Sequence, residues 1–185
     1  MYSELQNVEE ENLFSYSLFN EEYDVDFLIQ NSDPRNKNLG SKIILQNQIE
    51  LQNKDTIQIN EIEYHEILIK NYTPYSHLDL IENKSLLLEN NFDNINAIDW
   101  EKGCYVGQEI TARMKYRSLL KKKIYPLKIS KGDAVIGSEL KVGEKKIGHV
   151  VSRANSHIFA ILNIEFANGS IKSNSKIDLN NSLTL

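Results

Sequence analysis

The chain contains one cysteine, Cys104, and the residues around it are of the kinds that make a thiol available for chemistry. It lies in a segment at positions 102–109 that reads Lys-Gly-Cys-Tyr-Val-Gly-Gln-Glu. The two glycines lack a Cβ, so backbone or ligand can approach closely, while the other side chains supply an aromatic face, an amide and a carboxylate. These residue types predict a small binding pocket with the thiol as its reactive group.

The sequence that follows the cysteine predicts a helix. Apolar and basic residues recur at helical spacing from Ile110 to Arg117, so Cys104 should lie at or just before a helix N-terminus, beside Lys102. A helix N-terminus and a neighbouring cation lower the pKa of a thiol from about 8.5, whereas burial in apolar surroundings raises it. The sign of the shift therefore depends on exposure. The alternative interpretation is a buried, structural cysteine at a tight turn.

The cysteine segment resembles a family signature. Residues 102–109, with Ile-Thr-Ala-Arg at 110–113 and Tyr-Arg at 116–117, resemble the signature of the YgfZ family. These are folate-binding proteins of iron–sulfur cluster maturation, related to the glycine-cleavage T-protein (GcvT-like). Leu-Leu-Glu-Asn-Asn-Phe-Asp at 87–93 resembles a second family segment, with the order and spacing preserved, and residues 33–40 resemble another landmark. The resemblance covers nearly the whole chain.

The resemblance also implies a ligand and the residues that would bind it. In the family, the lysine and cysteine of the motif are implicated in function and the cavity accepts tetrahydrofolate, which places these roles on Lys102 and Cys104. A pterin ring needs aromatic cover and a carboxylate at its aminopyrimidine edge, and its glutamate tail needs a cation. The expected cofactor-binding residues are Glu89, Lys102, Cys104, Tyr105, Gln108, Glu109 and Arg113. Simpler alternatives are that Gln108 orients the backbone, that Glu109 interacts favourably with the positive end of its helix, and that Glu89 caps a loop.

Three functions are compatible with this resemblance. The leading hypothesis is a folate-bound accessory factor for assembly or repair of iron–sulfur clusters in client enzymes, with Cys104 as a transient ligand or redox thiol. The second is a tetrahydrofolate-dependent aminomethyltransferase of the T-protein kind, which is disfavoured because those relatives lack the 102–109 segment. The third is a tRNA-modification helper. Family members have an additional N-terminal domain, so we expect these 185 residues to correspond to the C-terminal two-thirds.

Composition limits the classes of protein to which this chain can belong. With 41% hydrophobic and 25% charged residues, the chain can form one large domain or two small ones. It has no apolar run of the roughly 18 to 20 residues that cross a bilayer, and its acidic start resembles neither a signal nor a transit peptide. We expect a cytoplasmic protein, or a mitochondrial matrix protein if the source is eukaryotic, without a membrane partner. One cysteine excludes an internal disulfide, and neither an intrinsic metal site nor an intrinsic cluster is predicted.

Charge is distributed unevenly although the net value is only -5. Between Glu109 and Asp133 no acid occurs, and this basic belt comprises Arg113, Lys115, Arg117, Lys121, Lys122, Lys123, Lys128 and Lys131. The belt could attract a folate polyglutamate tail, an acidic protein or RNA phosphates, or it is a solvated strand face. Overall acidity and the lack of a nucleic-acid module argue against RNA as the primary ligand, which leaves at most a weak RNA contact.

The spacing of apolar and turn residues predicts an α+β fold. Strands are expected at 13–19, 25–29 and 43–45, the first two flanking a turn at 20–22, with a helix from a capping box at 60–63 covering that sheet. After the cysteine helix, strand patterns occur at 119–129, 134–142, 145–152, 158–166 and 171–179, separated by turn residues. We therefore predict a GcvT/YgfZ-like region at 1–118, an antiparallel sheet with helices, followed by an antiparallel β-barrel at 119–185.

Overall fold

The structure is a computed structural model that describes residues 14–19, 29–45, 57–117, 119–130, 132–142 and 144–172. The chain forms two compact units, residues 1–58 and 59–185. Each unit contains one antiparallel sheet, and the α-helices of the described residues belong to the second unit. This combination agrees with the predicted α+β class. Both sequence regions, 1–118 and 119–185, contribute to the second unit, and a domain boundary between them stays a prediction.

The first unit contains a three-stranded sheet. Its strands are β1 (Phe14–Leu18), β2 (Ile29–Ser32) and β3 (Ser41–Leu45), in the order β1-β3-β2. The predicted strands at 13–19 and 43–45 are confirmed, whereas only Ile29 of the predicted strand at 25–29 is described, and the turn at 20–22 lies outside the described residues. The two strands that flank this turn each pair with β3.

The loop between β2 and β3 is fixed by local hydrogen bonds. Buried Asp33 accepts hydrogen bonds from Arg35 Nε at 2.9 Å and from its terminal nitrogen at 2.7 Å. Burial alone would raise the pKa of Asp33, but the bonds and charge of Arg35 lower it below its usual value. Gly40 ends the loop with a φ of 67°, and a Cβ there would collide with the Leu18 carbonyl, so the position requires glycine.

The second unit is built on a four-stranded antiparallel sheet. Its strands are β4 (Lys122–Lys128), β5 (Glu139–Val142), β6 (Lys145–Ala154) and β7 (His157–Asn163), in the order β4-β7-β6-β5. The structure thus shows the predicted antiparallel sheet, while closure into a barrel is not shown by the strand pairings of the described residues. Central strand β7 is buried on both faces, because its alternate residues belong to two different apolar clusters.

Helices cover both faces of this sheet. Helix α1 (Glu61–Lys70) begins at the predicted capping box, in which Asn60 Oδ1 accepts from Glu63 N at 2.9 Å and Glu63 Oε2 accepts from Asn60 N at 2.8 Å. The helix packs on β6 and β7, with Ile69 in the same cluster as Phe159. We expected it to cover the N-terminal sheet, but the capping pattern fixes only where a helix starts. Its partner is set by the long-range fit of its apolar face.

Three predicted strand boundaries are wrong. Residues 134–138 form a loop, so the strand predicted at 134–142 is limited to β5. Strand β7 ends at Asn163, and helix α4 (Ile164–Lys172) follows without a break, with Ala167 packed in the core. This helix includes the first two residues of the strand predicted at 171–179, and the others lie outside the described residues. A short apolar run allows either a strand or a buried helix, and tertiary packing decided here.

A buried carboxylate joins α1, the short helix α2 (Ser76–Asp79) and β6. Asp79 Oδ1 lies 2.9 Å from His65 Nε2 and accepts a hydrogen bond from the Ser152 hydroxyl, while its Oδ2 accepts from Tyr75 N at 2.5 Å. All three side chains, those of His65, Asp79 and Ser152, are buried. A carboxylate with several partners can be buried without a large penalty, so this network fixes both helices to the sheet.

In the described part of the chain, no helix has the length and apolar character that crossing a membrane requires.

Candidate functional site

The cysteine segment is a loop that leads into helix α3 (Gln108–Tyr116). The N-cap is Gly107, whose φ of 86° lies in the left-handed region that favours glycine. Thr111 strengthens the start of the helix because its hydroxyl donates to the Gly107 carbonyl at 3.2 Å. Cys104 lies three positions before this N-cap, which confirms the prediction that the thiol directly precedes a helix.

Cys104 is exposed and forms no disulfide. The backbone beside it is open as well, since a Cβ added to Gly103 would meet no atom within 4 Å. The interpretation of Cys104 as a buried structural residue is therefore wrong. A ligand or a partner protein can reach the thiol directly.

Lys102 and Tyr105 are brought together next to the cysteine. Asp99 Oδ1 accepts backbone hydrogen bonds from Glu101 at 2.9 Å and from Lys102 at 3.3 Å, which fixes the start of the loop. The Lys102 ammonium then lies 5.0 Å from the centroid of the Tyr105 ring, within the range of a cation–π interaction. A positive charge and an aromatic ring thus flank the exposed thiol in the chain.

Two buried polar atoms lack a hydrogen-bond partner within the part of the chain that the structure describes. One is the hydroxyl of Tyr105 and the other is Oδ1 of Asn90. Buried polar groups are nearly always paired, because losing their bond to water costs about 1–3 kcal/mol when nothing replaces it. Tyr105 belongs to the segment 102–109, whose residue types predict a site, and Asn90 belongs to the segment 87–93, which the family resemblance identifies.

The charged residues of helix α3 are at the surface. Glu109 Oε1 lies 2.8 Å from an Arg113 terminal nitrogen in an ion pair one turn apart, and both side chains are exposed. An exposed pair of this kind contributes little stability, so either side chain can leave the pair and bind a ligand at a small cost in free energy. Gln108, the first residue of the helix, is partly buried.

Glu89 lies against β4. Its carbonyl accepts a hydrogen bond from Ile124 N at 2.7 Å, and its side chain is partly buried. Burial raises the pKa of the Glu89 carboxyl above its usual value, and the nearby charge of Lys122 opposes this only in part. Within the described residues, no hydrogen bond or ion pair joins Glu89 to the cysteine loop. The structure therefore does not show the contact expected between Glu89 and the other site residues.

Sequence reasoning missed the residues that close the cysteine loop. The Lys115 ammonium lies 3.5 Å from the centroid of the Trp100 ring, and the Tyr116 ring meets that of Trp100 edge-on at 6.4 Å. Lys115 was assigned only to the basic belt, and a spacing of fifteen residues gives no signal of contact. Asn90 was missed too, although it lies beside Glu89 in the segment identified by resemblance.

Among the described residues, no group of three or more histidine, cysteine, aspartate or glutamate side chains could hold a metal ion. The single cysteine can supply one ligand to a metal centre, and any further ligands of a cluster bound there would come from another molecule.

Comparison with curated proteins finds relatives of this chain. The chain is 38% identical over 96 residues to the mitochondrial iron-sulfur cluster assembly factor IBA57 homolog of Neurospora crassa. It is 36% identical over 107 residues to the mitochondrial iron-sulfur cluster assembly factor IBA57 of Saccharomyces cerevisiae. The homologues of this chain are iron–sulfur cluster assembly factors. A third such homologue, from Mycosarcoma maydis, is 42% identical over 69 residues.

These matches are partial. They cover 51%, 57% and 37% of this chain, but only 22%, 20% and 17% of the relatives from Neurospora, Saccharomyces and Mycosarcoma, respectively. The chain thus matches about a fifth of the length of these IBA57 proteins. No protein-family model matches the chain.

Proposed function

We propose that this chain is an accessory factor of iron–sulfur cluster assembly or repair, with Cys104 as its functional thiol. The observation that carries the proposal is the exposure of Cys104 on a loop whose two ends are joined by the contact of Lys115 with Trp100. A reachable thiolate can ligate iron in a cluster that passes between proteins, and the cluster is then cargo rather than a resident group. The names of the IBA57 homologues support the same role.

Lys102 is proposed as the second functional residue. Its side chain is exposed and lies two positions before Cys104 in sequence, and its ammonium lies over the Tyr105 ring. Iron–sulfur clusters with thiolate ligands carry net negative charge, so a cation beside the thiol would stabilise the loaded state. The remaining ligands would come from a partner, either an assembly factor or a client enzyme.

Tetrahydrofolate is proposed as the bound cofactor, and the donor and acceptor groups present fit it. A pterin carries N–H donors and a carbonyl acceptor, which match the unpartnered Asn90 oxygen and the Tyr105 hydroxyl. The partly buried Glu89 is suited to the aminopyrimidine edge, although the structure does not join it to the loop. Gln108, Glu109 and Arg113 lie on α3, where Arg113 could bind the glutamate tail.

The proposed location follows from the same homologues. Their names describe them as mitochondrial, so we place this chain in the mitochondrial matrix if its source is eukaryotic, and otherwise in the cytoplasm.

An RNA-directed role has less support, because some lysines of the basic belt already contact other residues of this chain. Lys115 covers Trp100, and Lys123 Nζ lies 3.1 Å from Asp93. The aminomethyltransferase alternative gains no specific support from the described residues.

The decisive experiment is complementation in cells that lack their own member of the assembly-factor family, scored by the activity of a cluster-dependent enzyme. We expect wild type to restore activity and Cys104→Ala to fail, with Lys102→Ala giving a clear reduction. Lys84→Ala is the matched control, because Lys84 is likewise an exposed lysine in a turn. Full rescue by Cys104→Ala at equal protein level would contradict the proposal.

Labelling together with a stability measurement tests whether this loss reflects chemistry or unfolding. Since Cys104 is exposed, a thiol reagent should modify one cysteine per chain without denaturant. Cys104→Ser should change the free energy of unfolding by no more than about 0.5 kcal/mol, as is usual for surface positions. A thiol that reacts only after unfolding would contradict the open site.

A further inference from the structure

Asn90 is the most buried residue with an unpartnered polar atom in the described part of the chain. Its relative exposure is 1%, and it is among the largest fully buried side chains. Its Nδ2 donates to the Leu86 carbonyl at 2.9 Å, whereas Oδ1 has no partner among the described residues. Enclosed amide oxygens are nearly always paired, so we expect a donor from outside the described residues, a ligand or a water.

The position of this oxygen is fixed by its surroundings. The backbone N–H of Asn90 donates to the Leu86 carbonyl at 3.1 Å, and the neighbouring Glu89 carbonyl accepts from Ile124 of β4 at 2.7 Å. On the other side, Asn91 Nδ2 donates to the Tyr72 carbonyl at 2.8 Å. Because the Nδ2 bond also sets the plane of the amide, Asn90 Oδ1 is held in one direction.

We propose that Asn90 is a ligand-binding residue, whose Oδ1 accepts a hydrogen bond from an N–H group on the aminopyrimidine ring of the bound folate. The inference rests on the proposed folate binding and adds a residue that nothing else assigns. An amide oxygen accepts but cannot donate, so it selects a heterocycle with an N–H donor over one with only acceptors. The Tyr105 hydroxyl is the second atom available for such a bond.

The selected variant removes this oxygen and keeps the rest of the turn. In Asn90→Ser the shorter hydroxyl can still donate to the carbonyl four residues earlier, but no atom remains at the Oδ1 position. The probe is 5-formyltetrahydrofolate, titrated into the full chain and followed by calorimetry and by quenching of the single tryptophan, Trp100. We expect a Kd about three- to tenfold weaker than that of wild type, as for loss of one hydrogen bond.

Asn71→Ser is the matched control. Asn71 Nδ2 also donates to a carbonyl four residues earlier, that of Ile67, at 2.9 Å. Both variants alter the same kind of side-chain bond, but only one removes a buried, unpartnered oxygen. The control should therefore bind the folate as wild type does. Should Asn90→Ser not fold, Asn90→Ala is tested at reduced temperature against Asn71→Ala.

The outcomes separate this inference from the proposed function. If wild type binds the folate and Asn90→Ser binds it within twofold, the oxygen makes no bond to the ligand and the inference is overturned, while the proposed function stands. Equal weakening by Asn71→Ser overturns it in the same way. If wild type itself does not bind, the proposed cofactor and this inference both fail, whereas the role of Cys104 is judged by complementation.

Discussion

The ammonium of Lys115 lies 3.5 Å from the centroid of the Trp100 ring, and this contact joins the two ends of the segment that carries Cys104. Trp100 precedes the cysteine loop and Lys115 is in the last turn of α3. The adjacent Tyr116 ring adds an edge-on contact to Trp100. A loop closed in this way holds an exposed thiol in place without burying it.

Replacing Lys115 should loosen this loop. In Lys115→Gln part of the stem is retained and the charge over the ring is lost, which should lower the free energy of unfolding by about 0.5–1 kcal/mol. Urea unfolding followed by Trp100 emission measures the change. Lys84→Gln removes an exposed lysine elsewhere and should leave the transition unchanged. Equal stability of the two variants would mean that the Lys115–Trp100 contact adds nothing.

Glu66 should make stability depend on pH in the acid range. A hydrogen bond from Asn155, assisted by Lys70 and His157 and opposed by burial, lowers the pKa of Glu66 from 4.5 to about 2. A lowered pKa means that the ionised carboxylate stabilises the fold, fully above pH 4.5 and progressively less as pH falls towards 2. We expect Glu66→Gln to be less stable at pH 7 and to lose less stability on acidification.

The measurement for Glu66 is the urea midpoint at several pH values between 2 and 7. The control is Glu144→Gln, since Glu144 is an exposed carboxylate beside β6. It should follow the wild-type curve throughout. A Glu66→Gln curve parallel to wild type would show that the contacts from Asn155, Lys70 and His157 do not perturb this group.

Glu89 should affect the pH dependence of stability in the opposite direction to Glu66. Burial raises the pKa of its carboxyl above the usual 4.5, with Lys122 opposing the shift. The ionised form is therefore disfavoured in the folded state, and stability is lost as pH rises through the raised value. Glu89→Gln should be more stable than wild type at pH 7, with the difference vanishing below pH 4.5. Urea midpoints at neutral and acid pH measure this, and a destabilised variant at pH 7 would contradict it.

Asp79 should be a major determinant of stability. Asp79→Ala leaves the partners at His65, Ser152 and Tyr75 without their acceptor, and breaking a buried network of this kind costs about 3–5 kcal/mol. Thermal and urea unfolding measure the loss. Asp133→Ala is the control because Asp133 pairs with Arg153 at the surface, where the expected effect is under about 1 kcal/mol. Similar losses in the two variants would refute the special role of Asp79.

Several features were predictable from the sequence because each depends on neighbouring residues. Asn60 and Glu63 form the capping box that their spacing predicts, and the turn residues near 143 and 155 separate strands that pair as expected. The helix after the cysteine motif is also confirmed, with Gly107 at its start. Capping and turn geometry require only a few consecutive residues, so sequence alone carries the signal.

Other features could not be predicted because they depend on distant contacts. No local pattern indicates that α1 packs on β6 and β7, that β3 lies between β1 and β2, or that β7 continues directly into α4. The same holds for the pairing of Lys115 with Trp100 and for the position of Glu89 beside β4. Each results from packing of apolar surface across many residues, which a short window does not report.

The sequence by itself determined which residues could act, since the residue types at 102–109 identify the thiol and the lysine, and the family resemblance adds the polar groups at 87–93. The tertiary structure decided their environment. It left Cys104 exposed, enclosed the Asn90 oxygen without a partner and set Glu89 against β4. The reason is that residue type fixes chemical capability, whereas exposure and hydrogen-bond satisfaction depend on how distant segments pack together.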